Sequence, residues 1–171
     1  MGTSIIPKDG PVVVTGSGGF IGSHIVLNLV KRGYQVRACV RDASNIANNA
    51  HLQSMNQIGP GSVELHSCDM MLPGAYDEAF RGAVGVFHAA AEMGNLDGST
   101  PMKVYEGGVE ATALVIDSIK KSGSVRRLVY TSSFAAVGHP CEEGYQYTED
   151  SWADMNQEAR REGTEWTMEV V

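Results

Sequence analysis

The chain has 171 residues, of which 43% are apolar and 19% are charged, and its formal net charge is −7. This composition is typical of one soluble globular domain with a sizeable core. The acidic balance argues against a nucleic-acid partner or an anionic membrane surface, and no apolar run approaches the ~18 residues that a membrane-spanning helix needs. Three widely spaced cysteines and an N-terminus without a signal-peptide pattern favour a reducing, cytoplasmic location.

Strand-like and helix-like segments alternate along the chain. Short apolar runs predict strands at Val12–Thr15, Val36–Val40, Val63–Ser67, Val84–His88 and Arg127–Ser132. Apolar residues at helical spacing predict helices at Phe20–Arg32, Asn45–Ile58, Ala75–Phe80, Met102–Ser122 and near Met155–Glu162. This alternation predicts an α/β fold in which a doubly wound parallel sheet lies between two helix layers. We expect one domain over residues 1–171, with its core in 11–137 and with 138–171 leading toward a catalytic region that this chain lacks.

Three glycines follow the first predicted strand at three-residue spacing. Gly16 allows a sharp turn, Gly19 lets the backbone approach a bound pyrophosphate, and Gly22 lets the next helix pack close to the sheet. The positive end of that helix then faces the phosphates, near the switch point between the first and fourth strands. The alternative is a tight turn with packing glycines only. The spacing favours a dinucleotide site formed by Gly16, Ser17, Gly18, Gly19, Phe20, Ile21 and Gly22.

Four stretches carry a family resemblance. TGSGGFIG (15–22) resembles the signature of the extended short-chain dehydrogenase/reductase family. RGYQVRACVRD (32–42), GVFHAAA (85–91) and SVRRLVYTSS (124–133) are similar to its branch of dihydroflavonol reductases, cinnamoyl-CoA reductases and related aldehyde or ketone reductases. The resemblance implies a Rossmann-type fold, the cofactor NADP(H) and a small carbonyl or alcohol substrate that exchanges hydride with it. It also allows a homodimer.

The residues at the end of the second predicted strand indicate the preferred dinucleotide. An NAD-preferring site places a carboxylate there, whereas this strand ends with Arg41 and has no carboxylate before Asp42. Arg41 can clamp a 2′-phosphate with forked, charge-assisted hydrogen bonds, as the resemblance also implies. Asn48 stands where the family usually has an assisting lysine. We therefore expect NADP(H) with a weaker clamp, while the alternative for Arg41 is a solvated loop residue; Arg37 receives no role.

The resemblance assigns residues at the ends of the third and fourth strands to the same cofactor. It implies that Asp69 holds the exocyclic amine of the adenine and that Met70 holds it by its backbone, although Asp69 could instead cap the next helix. Small residues at Ala89, Ala90 and Ala91 leave room for the ribose and nicotinamide half. We expect His88 to hold a turn rather than to act in acid–base catalysis.

The fifth predicted strand ends in two further candidates. Thr131 is expected to contact the cofactor. The resemblance implies that Ser133 hydrogen-bonds the substrate carbonyl oxygen, a task that suits a neutral hydroxyl because negative charge builds on that oxygen during hydride addition. The alternative for Ser133 is a strand-end serine that caps backbone. The run His139–Glu143 carries metal-ligand side chains, but adjacent loop residues rarely converge on one ion, so no metal site is expected.

The catalytic acid of the resembling family is missing. That family uses a tyrosine followed four residues later by a lysine, and none of the six tyrosines here has one. One explanation is that the chain is the cofactor half of a longer reductase; another is a non-catalytic dinucleotide-binding or redox-sensing module. A third is an NAD-dependent nucleotide-sugar epimerase or dehydratase, which shares the glycine turn and the serine. We favour the reductase and expect the 171 residues alone to have little reductase activity.

Overall fold

The computed structural model describes residues 4–91, 101–137 and 144–152. Its strands are β1 (Val12–Thr15), β2 (Gln35–Val40), β3 (Ser62–Ser67), β4 (Gly85–His88) and β5 (Arg127–Tyr130). Its α-helices are α1 (Phe20–Lys31), α2 (Ile46–Ser54), α3 (Asp77–Phe80) and α4 (Pro101–Ser122). Short 3-10 turns lie at Pro7–Asp9, Met55–Gln57 and Phe134–Val137. None of the helices in these ranges has the length and apolar character to cross a membrane.

The five strands form one parallel sheet in the order β3-β2-β1-β4-β5. The chain runs outward from the central β1 to β3 and then crosses back to β4, so the direction of winding changes between β1 and β4. This order confirms the predicted doubly wound, Rossmann-type sheet, with its switch point beside the glycine turn.

Two predicted elements end at least two residues earlier in the structure. The helix predicted to reach Ile58 ends at Ser54 and continues as a 3-10 turn. Asn56 explains this, because its side chain accepts from the Val63 backbone N–H at 2.7 Å and donates to the Val63 carbonyl at 3.1 Å, which fixes the turn to the start of β3. The fifth strand ends at Tyr130 rather than Ser132. The helix predicted near Met155–Glu162 lies outside the described residues.

The chain separates into two compact units. The first comprises Met1–Ala91 with Glu110–Thr131, and the second comprises Glu92–Val109 with Ser132–Val171. The whole sheet belongs to the first unit. The boundary at Glu110 falls within α4.

The core of the first unit consists of two apolar layers, one on each face of the sheet. All four residues of β1 are buried, and alternate residues point to opposite faces. Val12 and Val14 pack in one cluster with residues of α1 and α2, namely Val26, Leu29, Val30 and Leu52. Val13 packs in the other with residues of α3, β4 and α4, namely Ala79, Phe80, Val86 and Val115. The helices therefore cover both faces, as the alternation predicts.

Arg37, which has no role in the sequence analysis, caps α3 from the neighbouring sheet. Its Nη1 donates to the carbonyls of Ala79 at 2.9 Å and Arg81 at 2.7 Å, and its Nε lies 4.0 Å from a carboxylate oxygen of Glu64. A cation at the C-terminal end of a helix satisfies carbonyls that have no partner within the helix. Arg37 therefore ties the end of α3 to β2.

A carboxylate on α3 joins that helix to α4. Asp77 accepts from the Ser118 hydroxyl at 2.6 Å and from the Lys121 ammonium at 3.2 Å. Ser118 is buried, whereas Lys121 is exposed. The hydrogen bond from Ser118, helped by Lys121, lowers the pKa of Asp77. The ionised carboxylate is thus the form that holds the two helices together.

We predict that Asp77→Asn reduces the acid sensitivity of the fold. Because the folded-state pKa of Asp77 lies below its unfolded value of about 3.9, its stabilisation is complete above that value and disappears as the pH falls through the folded-state pKa. Urea unfolding from about pH 6 to about pH 3 should show a variant that is less stable at the higher pH and loses less stability on acidification. Asp117→Asn is the matched control, since Asp117 lies on the exposed side of α4, 3.9 Å from Lys120. Equal acid responses of the two variants would contradict the prediction.

Candidate functional site

The turn after β1 touches the segment after β4 backbone to backbone. Gly16 has a φ of 64°, which favours glycine, and a Cβ there would lie 2.7 Å from the Ala90 nitrogen and 2.9 Å from the Ala89 carbonyl oxygen. No side chain fits into that space. Gly16 therefore brings the exits of the two strands together at the switch point, where doubly wound sheets bind ligands.

Gly22 allows the first turn of α1 to pack onto the same loop. A Cβ on Gly22 would lie 2.7 Å from the carbonyl carbon of Gly16 and 2.9 Å from the Cα of Ser17. The backbone that Gly22 approaches is that of the glycine turn, which directly follows β1. This agrees with close packing of α1 at the end of β1, the arrangement that the glycine spacing predicts.

Ser17 holds the turn from inside. It is fully buried, its hydroxyl donates to the Val14 carbonyl at 2.7 Å, and its backbone N–H donates to the Cys39 carbonyl at 3.1 Å. These bonds fix the loop to β1 and β2. The hydroxyl and the backbone N–H of Ser17 are thus engaged within the protein, and a contact between Ser17 and a dinucleotide stays a prediction.

The N-terminus of α1 is uncapped and faces solvent. Gly19 is the N-cap residue, and no side chain of the described residues hydrogen-bonds there. The first N–H groups of a helix have no partner within it and carry its positive partial charge. Gly18, Gly19 and the two residues that follow are exposed, Phe20 at 80% and Ile21 at 54%. The loop therefore presents unsatisfied donors on accessible backbone.

One buried hydroxyl controls the path of the chain after β4. Thr15 Oγ1 accepts from the backbone N–H groups of Ala89 and Ala90, each at 3.2 Å, and lies 2.7 Å from His88 Nδ1. A hydroxyl oxygen has two lone pairs, so both are used and its proton is left for the imidazole. Thr15 therefore donates to Nδ1, which makes His88 the neutral tautomer protonated at Nε2. His88 holds a turn, as the sequence analysis expects.

His88 lies in an environment that disfavours charge. Its residue surface is 1% exposed, and its Nε2 has no hydrogen-bond partner among the described residues. Burial lowers the pKa of His88 to about 4. The ring packs against Tyr130 with 5.0 Å between centroids. A buried, neutral imidazole suits a structural role rather than proton transfer to a ligand at the surface.

Arg41 and Asp42 follow β2 and differ in their availability. Arg41 is exposed and forms no hydrogen bond or ion pair with any other residue in the described ranges. Asp42 accepts through one carboxylate oxygen from the Ser44 N–H at 2.9 Å and the Ser44 hydroxyl at 2.6 Å, and these bonds lower its pKa. One oxygen of the Asp42 carboxylate is thus bound within the local turn at Ser44, while the Arg41 guanidinium remains available to a ligand.

The structure does not show the alternative considered for Asp69, since α3 begins at Asp77 with Tyr76 as its N-cap residue. Asp69 is exposed, and its Oδ1 accepts from the Met71 N–H at 3.0 Å. This bond makes a local turn before α3. Met70 is half-buried and packs against the apolar cluster on the α3 face. A contact of Asp69 or Met70 with adenine stays a prediction, with one carboxylate oxygen already engaged.

The remaining candidates fall in different units. Ala89 and Ala90 are half-buried, and Ala91 is exposed. The Thr131 N–H donates to the His88 carbonyl at 2.9 Å. These four residues belong to the first unit, which also contains the glycine turn, Arg41 and Asp69. Ser133 is half-buried in the second unit, where its carbonyl accepts from the Ala136 N–H at 3.0 Å. The role predicted for Ser133 stays a prediction.

No group of three or more His, Cys, Asp or Glu side chains in the described ranges has an arrangement that could hold a metal ion. The run His139–Glu143 lies outside those ranges.

Comparison with known proteins identifies the family. Residues 12–157 match the model of the NAD dependent epimerase/dehydratase family. The chain belongs to this family. Dihydroflavonol 4-reductase of Zea mays is 36% identical over 162 residues, which are 93% of this chain and 44% of the maize protein.

Solved structures share the fold of this epimerase/dehydratase family member. Vestitone reductase from alfalfa superposes with a TM-score of 0.70 and 26% identity over 88% of this chain and 45% of that one. A yeast methylglyoxal/isovaleraldehyde reductase complexed with NADPH gives a TM-score of 0.68 and 28% identity over 84% of this chain and 44% of that one. The chain thus spans less than half the length of the relatives it matches.

We predict that Thr15→Val destabilises this family member far more than Thr15→Ser. Valine keeps the shape but removes both acceptor positions for the Ala89 and Ala90 N–H groups and the donor to His88, and we expect a loss of about 2–4 kcal/mol. Serine keeps the hydroxyl and loses only a methyl group, at about 1 kcal/mol. Urea unfolding monitored by circular dichroism gives both values. Equal stability of the two variants would show that the hydroxyl has no such role.

We predict a pH dependence that comes from His88. The folded-state pKa of His88, about 4, lies below its unfolded value of about 6.5. The free energy of unfolding therefore carries no penalty from His88 above pH 6.5 and falls by about 3 kcal/mol as the pH drops to 4. His88→Asn should remove this slope, whereas His51→Asn on the exposed side of α2 should keep it. Denaturant unfolding across this range tests the prediction. A wild-type slope that survives in His88→Asn would refute it.

Proposed function

We propose that this chain is the dinucleotide-binding part of an NADP(H)-dependent oxidoreductase that reduces an aldehyde or ketone, or oxidises the corresponding alcohol, by hydride transfer. The observation that carries the proposal is the exposed, uncapped N-terminus of α1 at the switch point, together with an exposed, unpaired Arg41 directly after β2. The names of the relatives support the reaction class, since they are reductases and one is complexed with NADPH.

The proposed pyrophosphate seat is the backbone of the glycine turn. Phosphate oxygens would accept from the free N–H groups of Phe20 and Ile21, where the helix dipole favours negative charge. Gly19 leaves the approach open, because no side chain covers its backbone. The loop is held from within by Ser17 and Gly22, so these donors are positioned before a ligand arrives, which reduces the entropy that binding must overcome.

The proposed 2′-phosphate contact is the Arg41 guanidinium. Its donors have no partner within the described residues. One carboxylate oxygen of the neighbouring Asp42 accepts from the N–H and the hydroxyl of Ser44. A carboxylate that accepts ribose hydroxyls is the usual feature of NAD sites, so the engagement of Asp42 favours the phosphorylated cofactor. The competing hypothesis is an NAD-dependent epimerase or dehydratase, which would require the end of β2 to bind a ribose without a 2′-phosphate.

The other end of the cofactor is proposed to lie along Ala89, Ala90, Ala91 and Thr131. When bound, the nicotinamide supplies or accepts the hydride. Ser133 would donate its hydroxyl to the substrate oxygen as negative charge builds there. The acid of the reaction is not assigned, because no tyrosine in the sequence is followed four residues later by a lysine. We therefore propose that these 171 residues bind the dinucleotide but turn over substrate poorly.

The Arg41→Ala variant tests the cofactor choice. Removing a charge-assisted, two-pronged contact should weaken NADP+ binding by about 10- to 100-fold and leave NAD+ binding nearly unchanged, as measured by isothermal titration calorimetry. Arg32→Ala is the control, because Arg32 is also exposed but lies at the opposite end of α1. If NAD+ binds the wild type more tightly than NADP+, the result supports the epimerase or dehydratase hypothesis and contradicts the NADP(H) proposal.

A pair of glycine variants separates binding from folding. In Gly19→Ala the nearest atom to the new Cβ is the Gly16 oxygen at 3.4 Å, so the fold tolerates it while the methyl group obstructs the proposed phosphate seat. Gly22→Ala places its Cβ against the backbone of Gly16 and Ser17, so it should disrupt the fold itself. We expect a folded Gly19→Ala protein with dinucleotide affinity reduced by at least about tenfold. Unchanged affinity would exclude this loop as the seat.

A further inference from the structure

Two buried thiols lie together beneath the ends of β2 and β3, and the proposed function does not use them. Cys39 belongs to β2 and Cys68 immediately follows β3; both are free, with residue exposures of 2% and 6%. Both side chains pack in the same buried cluster, on the face of the sheet that α3 covers. Two thiols in one cluster differ from two isolated buried cysteines, because each sulfur has a nearby partner with which it can react.

The strand register explains why the two thiols share a cluster. Cys39 pairs with His66 on β3, and Cys68 lies two positions further along, so both side chains point to the same face of the sheet. The Cys68 N–H still donates to the Val40 carbonyl at 2.8 Å, which holds the backbone beside β2. Cys68 is the first residue past the end of β3. A disulfide requires the sulfurs to approach to about 2.0 Å, so Cys68 has to move toward β2 for the bond to form.

The surroundings make the two sulfurs unequal. Burial raises the pKa of the Cys39 thiol, whereas the hydrogen bond from Cys39 lowers the pKa of the Cys68 thiol. Cys39 is therefore the donor and Cys68 the sulfur that more readily becomes a thiolate, which is the nucleophilic form. Tyr76 is buried in the same apolar cluster as both cysteines.

We propose that Cys39 and Cys68 are a modification site at which a hydroperoxide converts two thiols into a disulfide that links the ends of β2 and β3. The Cys68 thiolate attacks the peroxide oxygen, the O–O bond breaks, and a sulfenic acid forms while the departing oxygen takes a proton and leaves as water or an alcohol. The Cys39 sulfur then attacks the Cys68 sulfur, losing its proton, and the sulfenic hydroxyl leaves as water. The two thiols are oxidised by two electrons and the peroxide is reduced by two.

The consequence of this bond rests on the proposed function. Arg41 follows Cys39 by two residues, and Asp69 and Met70 directly follow Cys68, so the linked segment carries the groups assigned to the 2′-phosphate and the adenine. Drawing Cys68 toward β2 moves those groups relative to each other. The disulfide should therefore weaken NADP(H) binding.

The test uses the full chain with Cys141→Ser, so that only the two thiols of interest remain. The reduced protein is treated with hydrogen peroxide, the unreacted thiols are alkylated, and non-reducing peptide mapping follows. Near-ultraviolet circular dichroism verifies that the fold persists. We expect a peptide that joins Cys39 to Cys68, which dithiothreitol separates, and no such product in Cys39→Ser or Cys68→Ser.

The outcomes decide each part separately. Two alkylated thiols after peroxide treatment, an overoxidised Cys68 without a linked peptide, or a disulfide between two molecules would each overturn the modification site. Calorimetry with NADP+ should show affinity about tenfold weaker in the oxidised protein than in the reduced one, and equal affinities would overturn the coupling. Reduced protein that binds no dinucleotide would refute the proposed function, while the peptide map would still decide the disulfide.

Discussion

The contact between the backbone at Gly16 and the backbone at Ala89–Ala90 is the constraint on which the site depends. It brings the exits of two parallel strands closer than any side chain would allow. Thr15 holds the contact from below, because one hydroxyl accepts from two N–H groups and donates to His88. Since α1 begins directly after this contact and packs onto it through Gly22, the direction of its free N–H groups is fixed by the same few atoms.

Polar groups around the site divide into those that hold the protein together and those that remain available. The Ser17 hydroxyl, the His88 imidazole and one oxygen of Asp42 all have internal partners and are fixed. Arg41 and the first N–H groups of α1 have none among the described residues. Because an unpaired donor at the surface loses only water when a ligand arrives, the available set marks where an anion would bind.

Local patterns were enough to predict the elements of the sheet and the glycine turn, but long-range pairings were not. Val12–Thr15 begins with three consecutive valines in the sequence, and all four residues are buried in the structure. A strand that is covered on both faces has such a continuous apolar run. The pairing of Thr15 with His88 and the capping of α3 by Arg37 join residues far apart in the chain, and no spacing indicates them. The inward direction of the Ser17 side chain is hidden for the same reason: the motif indicates the loop, but only the register of β1 and β2 shows where the hydroxyl points.

The negative net charge of the chain works against the binding of an anionic ligand at these donors. The proposed ligand carries several negative charges, and the chain itself has a net charge of −7, so the long-range field opposes their approach. Attraction must therefore come from groups within a few ångströms, namely the positive end of α1 and Arg41. Because Asn48 stands where a second cation is usual in the resembling family, the 2′-phosphate would be recognised by a single exposed guanidinium. An exposed ion pair is screened by salt, whereas backbone donors at a helix end are held in place by the fold, so the seat for the pyrophosphate would supply most of the affinity and Arg41 most of the discrimination.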